Sequence, residues 1–246
     1  MQGELPSHPE LLDWLAVDFM ENGWNIKRLV KQLVMSATYQ QSAKISKKSL
    51  DLDPENVFLS HAPRNRLKAE WVRDMVLASS GLLVPDIGGP SVKPYQPDGL
   101  WETATSGRGE LATYKQDKGD ALYRRGMYTF IKLTVPPPSL MLFDASNRDQ
   151  CEVKRLQTNT PLQALAMLND PMILEASRVF AQRLLESDTN AQTNIQNAFR
   201  RIVCRNATKK ELAILLKYHD EQLALFRSNK LAAKETLAVG EYKHNP

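Results

Sequence analysis

The stretch of residues 123–171 places the strongest constraint on how this chain folds. It combines aromatic residues and arginines with three consecutive prolines at positions 136 to 138. Proline lacks a backbone N–H and cannot continue a regular helix or the middle of a sheet. Packed helices and ordinary turns do not require such a mixture, so we expect an ordered, irregular surface here. The stretch contains no recognisable catalytic motif, and the sequence therefore specifies an architecture more firmly than a reaction.

Amphipathic helices are predicted before this stretch. Ser7 and Glu10 form a capping-box pattern with a proline between them, which predicts that the first helix is capped by Ser7. Asn25 is the predicted N-cap of a second helix. Apolar residues at helical spacing predict a longer helix over residues 66–80. A helix start also explains His8 and Glu10 without a catalytic role.

Helix starts are clearest in the C-terminal part of the chain. Thr160 and Asp170 each stand immediately before a proline, the residue type preferred at the first helical position. Thr208 and Glu211 form another capping-box pattern. At least six amphipathic segments stand against one credible strand, at residues 127–133. We therefore predict a mainly α-helical, multi-helix domain with at most a small β element.

A long insertion rich in glycine, proline and aromatic residues separates the two helical regions. Its Gly-Gly-Pro and other proline positions exclude regular helix, whereas Tyr95 and Trp101 favour an ordered loop. Residues 107–118 lack a pattern and are predicted to be a mobile loop. We predict a single helical domain over residues 1–246, with N-terminal helices in 1–83, the irregular insertion in 84–158 and C-terminal helices in 159–246.

The overall composition argues against several function classes. The chain has 32 basic and 28 acidic residues, a net charge of +4, and its basic residues occur in short runs. A nucleic-acid-binding protein usually concentrates them on one face, so no nucleic-acid partner is predicted. No apolar run approaches the roughly 20 residues that span a bilayer. The sequence has no signal peptide at Met1, and it opens within what resembles a domain.

The two cysteines do not form a recognisable motif. Cys151 and Cys204 belong to no CxxC, CxxCH or Cys/His cluster, so the sequence predicts no metal site and no haem attachment. They either form one disulfide or remain two buried thiols. The position of Cys204 on an apolar helical face favours the thiols.

Charged residues around the proline-rich segment are candidate functional residues. The candidate ligand-binding arginines are Arg124, Arg125, Arg148 and Arg155. Their planar guanidinium groups suit sulfate or carboxylate. Asp144 is a candidate general acid or base, assisted by Tyr128 or Tyr95. Alternatively, Asp144 and the arginines pair to hold irregular backbone together.

A ligand groove is predicted between loop 88–101 and segment 123–155. Gly88 and Gly89 could cradle an anion with backbone N–H groups, although a glycine-permitted turn also explains them. Tyr95 and Trp101 would supply flat aromatic faces for a sugar ring. Asn159 and Gln163 are predicted to be hydrogen-bonding residues of a buried loop.

Several blocks of sequence resemble a known family. They are GELPSHPELLDWLA, IKRLVKQLVMSATYQQS, NRLKAEWVRDMVLASSGLL, GGPSVKPYQPDGLWE, YRRGMYTFIKLTVPPPSLMLFDASNRDQC and TNTPLQALAMLNDP. These blocks, in this order, resemble the bacterial domain of unknown function 1553, also called the planctomycete cytochrome-associated C-terminal domain. The resemblance covers nearly the whole chain. It implies a large, exported, multidomain parent protein, of which this chain is a fragment lacking both domain ends.

Two function classes follow from the residues and the resemblance. The first is a binding or scaffolding module of an exported, cytochrome-associated protein, whose partners are other domains of the same polypeptide. The second is an enzyme domain that acts on a sulfated or carboxylated polysaccharide. The resemblance implies a periplasmic or cell-surface location. It also implies that any haem c belongs elsewhere in the parent protein, because the CxxCH motif is absent from this chain.

Overall fold

The computed structural model describes residues 5–106, 108–109, 111–146, 148, 151–152 and 154–243. The chain divides into two compact units, Met1–Arg66 and Leu67–Pro246. The described residues form eleven α-helices and two short 3-10 helices, and contain no named strand. Sequence and structure therefore agree on a mainly α-helical, multi-helix fold.

The described residues of the first unit form three helices: α1 (Pro9–Glu21), α2 (Ile26–Met35) and α3 (Lys47–Leu52). Asn25 caps α2 as predicted, because its side chain accepts a hydrogen bond from the Arg28 N–H at 3.0 Å. The predicted Ser7 cap of α1 is wrong. His8 occupies the N-cap position without a side-chain cap bond, and the Ser7 hydroxyl contacts the His8 ring instead, at 2.9 Å.

The helices of the first unit bury none of their residues. Many of their apolar side chains are exposed, and Trp14, Val17, Ile26 and Val30 are each more than two-fifths exposed. Asp53 is an exception outside the helices, because it is buried and accepts hydrogen bonds from two backbone N–H groups at 2.7 and 2.9 Å. The unit therefore presents apolar surface that it does not cover itself.

The second unit contains the remaining helices. The α-helices are α4 (Ala69–Ser80), α5 (Leu100–Thr105), α6 (Pro138–Leu142), α7 (Pro161–Asn169), α8 (Pro171–Ser187), α9 (Ala191–Val203), α10 (Lys209–Ser228) and α11 (Lys230–Leu237). The two 3-10 helices are Gly119–Tyr123 and Gly126–Tyr128. The predicted caps hold, because Thr160, Asp170 and Thr208 each accept a backbone hydrogen bond at the start of a helix.

The core of the second unit lies where α4, α8 and the first 3-10 helix pack together. Its buried residues are Leu77, Leu82, Leu122, Tyr123, Met172, Ile173, Ala176 and Val179. Leu77 comes from the middle of α4, and Val179 comes from the middle of α8. Because loop residues complete this core, the irregular insertion is part of the packed structure.

Isolated backbone bridges hold the insertion in place. Val84 pairs with Arg124, and Val92 pairs with Thr129. The strand predicted at residues 127–133 is reduced to such bridges, which agrees with the expected small β element. The three prolines are not all polyproline-like as predicted, because Pro138 is the first residue of α6. The predicted mobile loop, 107–118, lies partly outside the described residues.

Both cysteines are free and exposed, so the predicted buried thiols are wrong. The reason at Cys204 is that α9 ends at Val203. Cys204 then adopts left-handed backbone geometry, with φ of 57°, at the C-cap. Within the described residues, no helix has the length and apolar character needed to cross a membrane.

Candidate functional site

Arg124 closes the glycine-rich loop of the insertion. Its guanidinium lies over the Tyr128 ring, 3.9 Å from the ring centre. The same group donates hydrogen bonds to the backbone carbonyl oxygens of Pro90 at 3.0 Å and Asp86 at 3.1 Å, and to that of Gly88. The Arg124 guanidinium therefore holds the loop backbone through three carbonyl groups. Its Nε is buried without a hydrogen-bond partner among the described residues.

The glycines of this loop face the same two side chains. The Gly88 N–H donates to the Tyr128 hydroxyl at 2.8 Å. A Cβ on Gly89 would lie 3.4 Å from Nη1 of Arg124, and Gly89 has a φ of 82°, which favours glycine. The structure thus brings Gly88, Gly89, Arg124 and Tyr128 together, as a closed turn in which Gly88 already has a protein partner.

The next arginine is paired with α4. Arg125 donates from Nε to Asp74 at 2.9 Å, and the Gly126 N–H donates to the other oxygen of the same carboxylate at 2.6 Å. Asp74 therefore fixes the second 3-10 helix against α4 through two hydrogen bonds.

Arg155 forms a second ion pair with α4. Its Nη1 lies 2.7 and 3.0 Å from the two carboxylate oxygens of Glu70. Burial acts to raise the pKa of Glu70, but the hydrogen bond from Arg155 and the nearby charge of Arg148 outweigh it and leave that pKa below its usual value. Glu70 is therefore an ionised structural partner of these arginines.

Asp144 is engaged by the loop before α7. Its carboxylate accepts from the Thr158 N–H at 2.6 Å and from the Thr158 hydroxyl at 2.9 Å. Gln163 donates to the same hydroxyl at 3.1 Å and to the Leu142 carbonyl at 2.9 Å. These bonds tie the end of α6 to the start of α7, so Asp144 sits in a structural network.

Trp101 is packed inside an aromatic cluster. It is 1% exposed, and its ring centre lies 5.0 Å from that of Tyr114 and 5.7 Å from that of Phe130. The ammonium group of Lys132 stands 4.5 Å from the Trp101 ring. Protein groups therefore surround the Trp101 ring, which was predicted to face a ligand.

Tyr95 belongs to a different cluster around Glu175. Its hydroxyl accepts from the Glu241 N–H at 2.9 Å. Burial, together with the Glu175 charge, raises the pKa of Tyr95 to about 12. Burial and the same charge raise the pKa of Tyr123, whose hydroxyl donates to Glu175 at 3.0 Å. Both phenols therefore remain protonated hydrogen-bonding groups at neutral pH.

Glu175 is a fully buried carboxylate near the start of α8. Its Oε1 also accepts from the Tyr242 N–H at 2.6 Å, whereas Oε2 is buried without a hydrogen-bond partner in the described part of the chain. Gly240 lies directly against it, since a Cβ there would be 2.3 Å from the Glu175 carboxyl carbon. Glu175 therefore anchors the segment that follows α11.

Tyr95 also lines a small cavity. Its volume is about 40 Å³, and apolar residues of α4, α6 and α8 form much of its wall. The polar side chains that line it, besides Tyr95, are Arg73, Thr129, Ser139 and Asp170. This cavity joins one predicted ligand-binding residue to four residues that the sequence analysis did not select.

Arg73 is the unusual group of this cavity. It is 7% exposed and donates from Nε to the Arg124 carbonyl at 3.2 Å and from Nη2 to the Leu122 carbonyl at 2.5 Å. Burial lowers its pKa to about 10, although the charge of Asp170 opposes the shift. Burial likewise raises the pKa of Asp170, whose carboxylate accepts from the Met172 N–H at 2.9 Å.

A sequence signal for Arg73 exists. It lies four residues after Ala69 and four before Leu77, and all three are buried on one face of α4. A charged residue at a core position of an amphipathic helix calls for a polar partner or a ligand. Thr129 and Ser139 carry no comparable signal, because Thr129 lies in the irregular insertion and Ser139 lies in the five-residue helix α6.

The described residues define a helical module whose irregular insertion is held by internal arginine and carboxylate contacts. Residues 1–219 match the sequence model of the family described as PSD1, protein of unknown function (DUF1553). This match shows that the chain belongs to that family. No curated protein and no solved structure matches the chain. The resemblance drawn from the sequence blocks is confirmed at the level of this family.

Proposed function

We propose that this chain is a binding and scaffolding module. The observation that carries the proposal is that the charged groups an enzyme would need are engaged by the protein itself. Arg124 holds three backbone carbonyls, Arg125 and Arg155 pair with carboxylates of α4, and Asp144 accepts from Thr158. Groups held in this way stabilise loops, and releasing them for chemistry would cost those contacts.

An apolar groove supports the binding part of the proposal. It lies between α9 and α10, has a volume of about 550 Å³, and is lined mainly by Phe199, Ile202, Leu215, Leu223 and Phe226 with neighbouring residues. Exposed apolar grooves of this kind suit an amphipathic helix. The proposed occupant is a helix from another domain of the same polypeptide, because covalent linkage gives such a partner a high effective concentration.

The wider setting is proposed from the family resemblance. An exported, cytochrome-associated parent protein would place the module in the periplasm or at the cell surface. A c-type haem is attached through a CxxCH motif, which is absent from residues 1–246, so any haem would be held by another domain. This chain would then position such a domain without contacting the haem chemically.

The alternative function, an enzyme that acts on acidic polysaccharide, is tested with the predicted groove residues. Sulfated and carboxylated oligosaccharides are titrated into the wild type, Arg124→Ala/Arg125→Ala and Trp101→Ala, and product release is followed. Arg200→Ala/Arg201→Ala is the matched control, since these adjacent arginines lie exposed on α9. We expect no saturable binding, and lower stability only in the first two variants. The scaffolding proposal would be refuted by saturable binding to the wild type that is lost in Arg124→Ala/Arg125→Ala while that variant remains folded.

The docking part is tested in the α9–α10 groove. Leu223→Asp places a charge in the groove, whereas Leu225→Asp alters the same helix outside the groove lining. When the other domains of the polypeptide are produced as a separate chain, we expect Leu223→Asp alone to abolish their co-purification with this module. Sedimentation of the isolated chain tests the alternative occupant, a second copy of the chain. Concentration-dependent dimers that are lost in Leu223→Asp would show that a second copy fills the groove.

A further inference from the structure

The Arg73 cavity holds a cation that forms no ion pair with the described residues, although the charges of Asp170 and Asp74 act on it from a longer distance. Within the described part of the chain, no carboxylate lies within ion-pair distance of Arg73. Its hydrogen bonds to protein come from Nε and Nη2 and go to neutral backbone carbonyls. A buried charge normally acquires a charged partner, because desolvation otherwise opposes its burial. The nitrogen Nη1 makes no hydrogen bond to the described residues and is available to such a partner.

Thr129 provides a second unused group at the same place. It is 8% exposed, and its hydroxyl is buried without a hydrogen-bond partner among the described residues. Buried hydroxyl groups are ordinarily hydrogen-bonded, so an unused one beside a buried arginine indicates a missing acceptor. Arg73 and Thr129 lie on different elements, α4 and the insertion, and both line the cavity.

The size of the cavity limits what can enter. A water molecule needs roughly 10–15 Å³ of such space, so about 40 Å³ accommodates about three waters or one group of a few heavy atoms. Val72, Leu140 and Phe143 form an apolar part of the wall. The wall also carries the polar side chains of Tyr95, Ser139 and Asp170. A group with one charged end and a short carbon end matches this division.

We propose that the cavity binds a single carboxylate group of about the size of acetate, held by Arg73 and Thr129. The planar fork of a guanidinium matches a carboxylate, and the Thr129 hydroxyl would donate to its oxygen. The carbon end of the ligand would contact Val72 and Leu140. This assignment goes beyond the scaffolding role, because the cavity is a small-molecule site that shares no lining residue with the α9–α10 groove.

Asp170 limits the negative charge of the ligand that this cavity binds. Its carboxylate is held at the start of α8 by the Met172 N–H and lines the same cavity. Its charge offsets part of the attraction between Arg73 and any anion, and each further negative charge on the ligand would add repulsion. The site therefore selects monocarboxylates over dicarboxylates, sulfate and phosphate.

The experiment titrates sodium acetate into the full chain by NMR at constant ionic strength, with chloride as the replaced anion. Acetamide is the neutral probe of the same shape, and glucuronate tests whether an acidic sugar can supply the carboxylate. We expect saturable shifts for acetate, and at least roughly tenfold weaker binding of acetamide, because a hydrogen bond to a charged group is the stronger one. If glucuronate shifts the signals of the same residues and acetate competes with it, an acidic sugar is able to supply the carboxylate. If glucuronate causes no shifts, the site is restricted to free short-chain acids.

Thr129→Val is the decisive variant, because it keeps the side-chain shape and removes only the unused hydroxyl. We expect it to fold and melt like the wild type or slightly higher, and to bind acetate at least roughly tenfold more weakly. Thr193→Val, at an exposed position in the first turn of α9, is the control and should bind normally. Arg73→Lys, with its fold checked by circular dichroism, should lose acetate binding.

Three results would overturn the assignment. The first is the absence of saturable acetate shifts at concentrations on the order of 100 mM, where even a weak site would fill. The second is equal binding of acetamide and acetate, which would assign the cavity to neutral ligands or water. The third is unchanged acetate affinity in Thr129→Val, which would place the binding elsewhere.

Discussion

Gly126→Ala is predicted to destabilise the second unit strongly. Gly126 is buried and donates its N–H to Asp74 at 2.6 Å. A Cβ at this position would lie 2.7 Å from the Glu70 carbonyl oxygen and 2.8 Å from the Glu70 Cα, both backbone atoms of α4. Side-chain rotation cannot relieve a contact with backbone, so the second 3-10 helix would have to move away from α4.

The size of the effect follows from these distances. Restoring an ordinary separation near 3.5 Å requires a shift of roughly 0.7 Å. Overpacking of this kind costs roughly 1–3 kcal/mol, and weakening the bond to the Asp74 carboxylate adds roughly 1.5–3 kcal/mol. A total of roughly 2.5–6 kcal/mol is a large part of the roughly 5–15 kcal/mol typical of a domain. For a unit of this size it lowers Tm by roughly 5–24 °C.

Tryptophan fluorescence provides the assay, because Trp101 is 1% exposed and reports on the second unit. Urea and thermal unfolding of Gly126→Ala are compared with Gly99→Ala. At Gly99 a Cβ would meet no atom within 4 Å, but φ is 77°. That control measures the cost of a positive φ, roughly 1–2 kcal/mol. Gly126→Ala does not pay this cost, because Gly126 has no positive φ. Equal stability of Gly126→Ala and the wild type would refute the packing between α4 and the second 3-10 helix.

Three further predictions use other contacts. Gly240→Ala places its Cβ 2.3 Å from the Glu175 carboxyl carbon, so we expect the segment after α11 to detach, with faster amide exchange there and a nearly unchanged Tm. The hydrogen bond from Arg205, followed by those at Thr208, lowers the pKa of Glu211 to about 2. Its contribution is therefore complete above pH ~4.5 and is lost as the pH falls towards 2; a carboxyl NMR titration with a midpoint near 4.5 would contradict this. Both free cysteines are exposed, so a thiol reagent should modify two groups in the native protein, and protection of either would contradict the structure.

The helix starts could be predicted from the sequence alone. Asn25, Thr160, Asp170 and Thr208 each accept a hydrogen bond from a residue two or three positions further on. Such contacts depend on local sequence, so the residue pattern is sufficient to identify them. Ser7 is the exception, because His8 beside it is also able to stand at the N-cap position.

The partners of the arginines required the tertiary structure. Arg124 meets carbonyls 34 to 38 positions earlier, and Arg125 meets Asp74, which is 51 positions earlier. The sequence alone does not show whether a guanidinium binds a ligand or a protein acceptor, so both alternatives stayed open. Chain folding settled which acceptors these arginines reach.

The cavity was decided in the same way. Arg73 carried a signal as a charged residue on the buried face of α4, but Thr129 and Asp170 come from a loop and a helix start. Local pattern determined that this chain forms capped helices around an irregular insertion. Only packing between distant segments could decide which polar groups face each other, because that proximity depends on loop paths that hydrophobic periodicity does not encode.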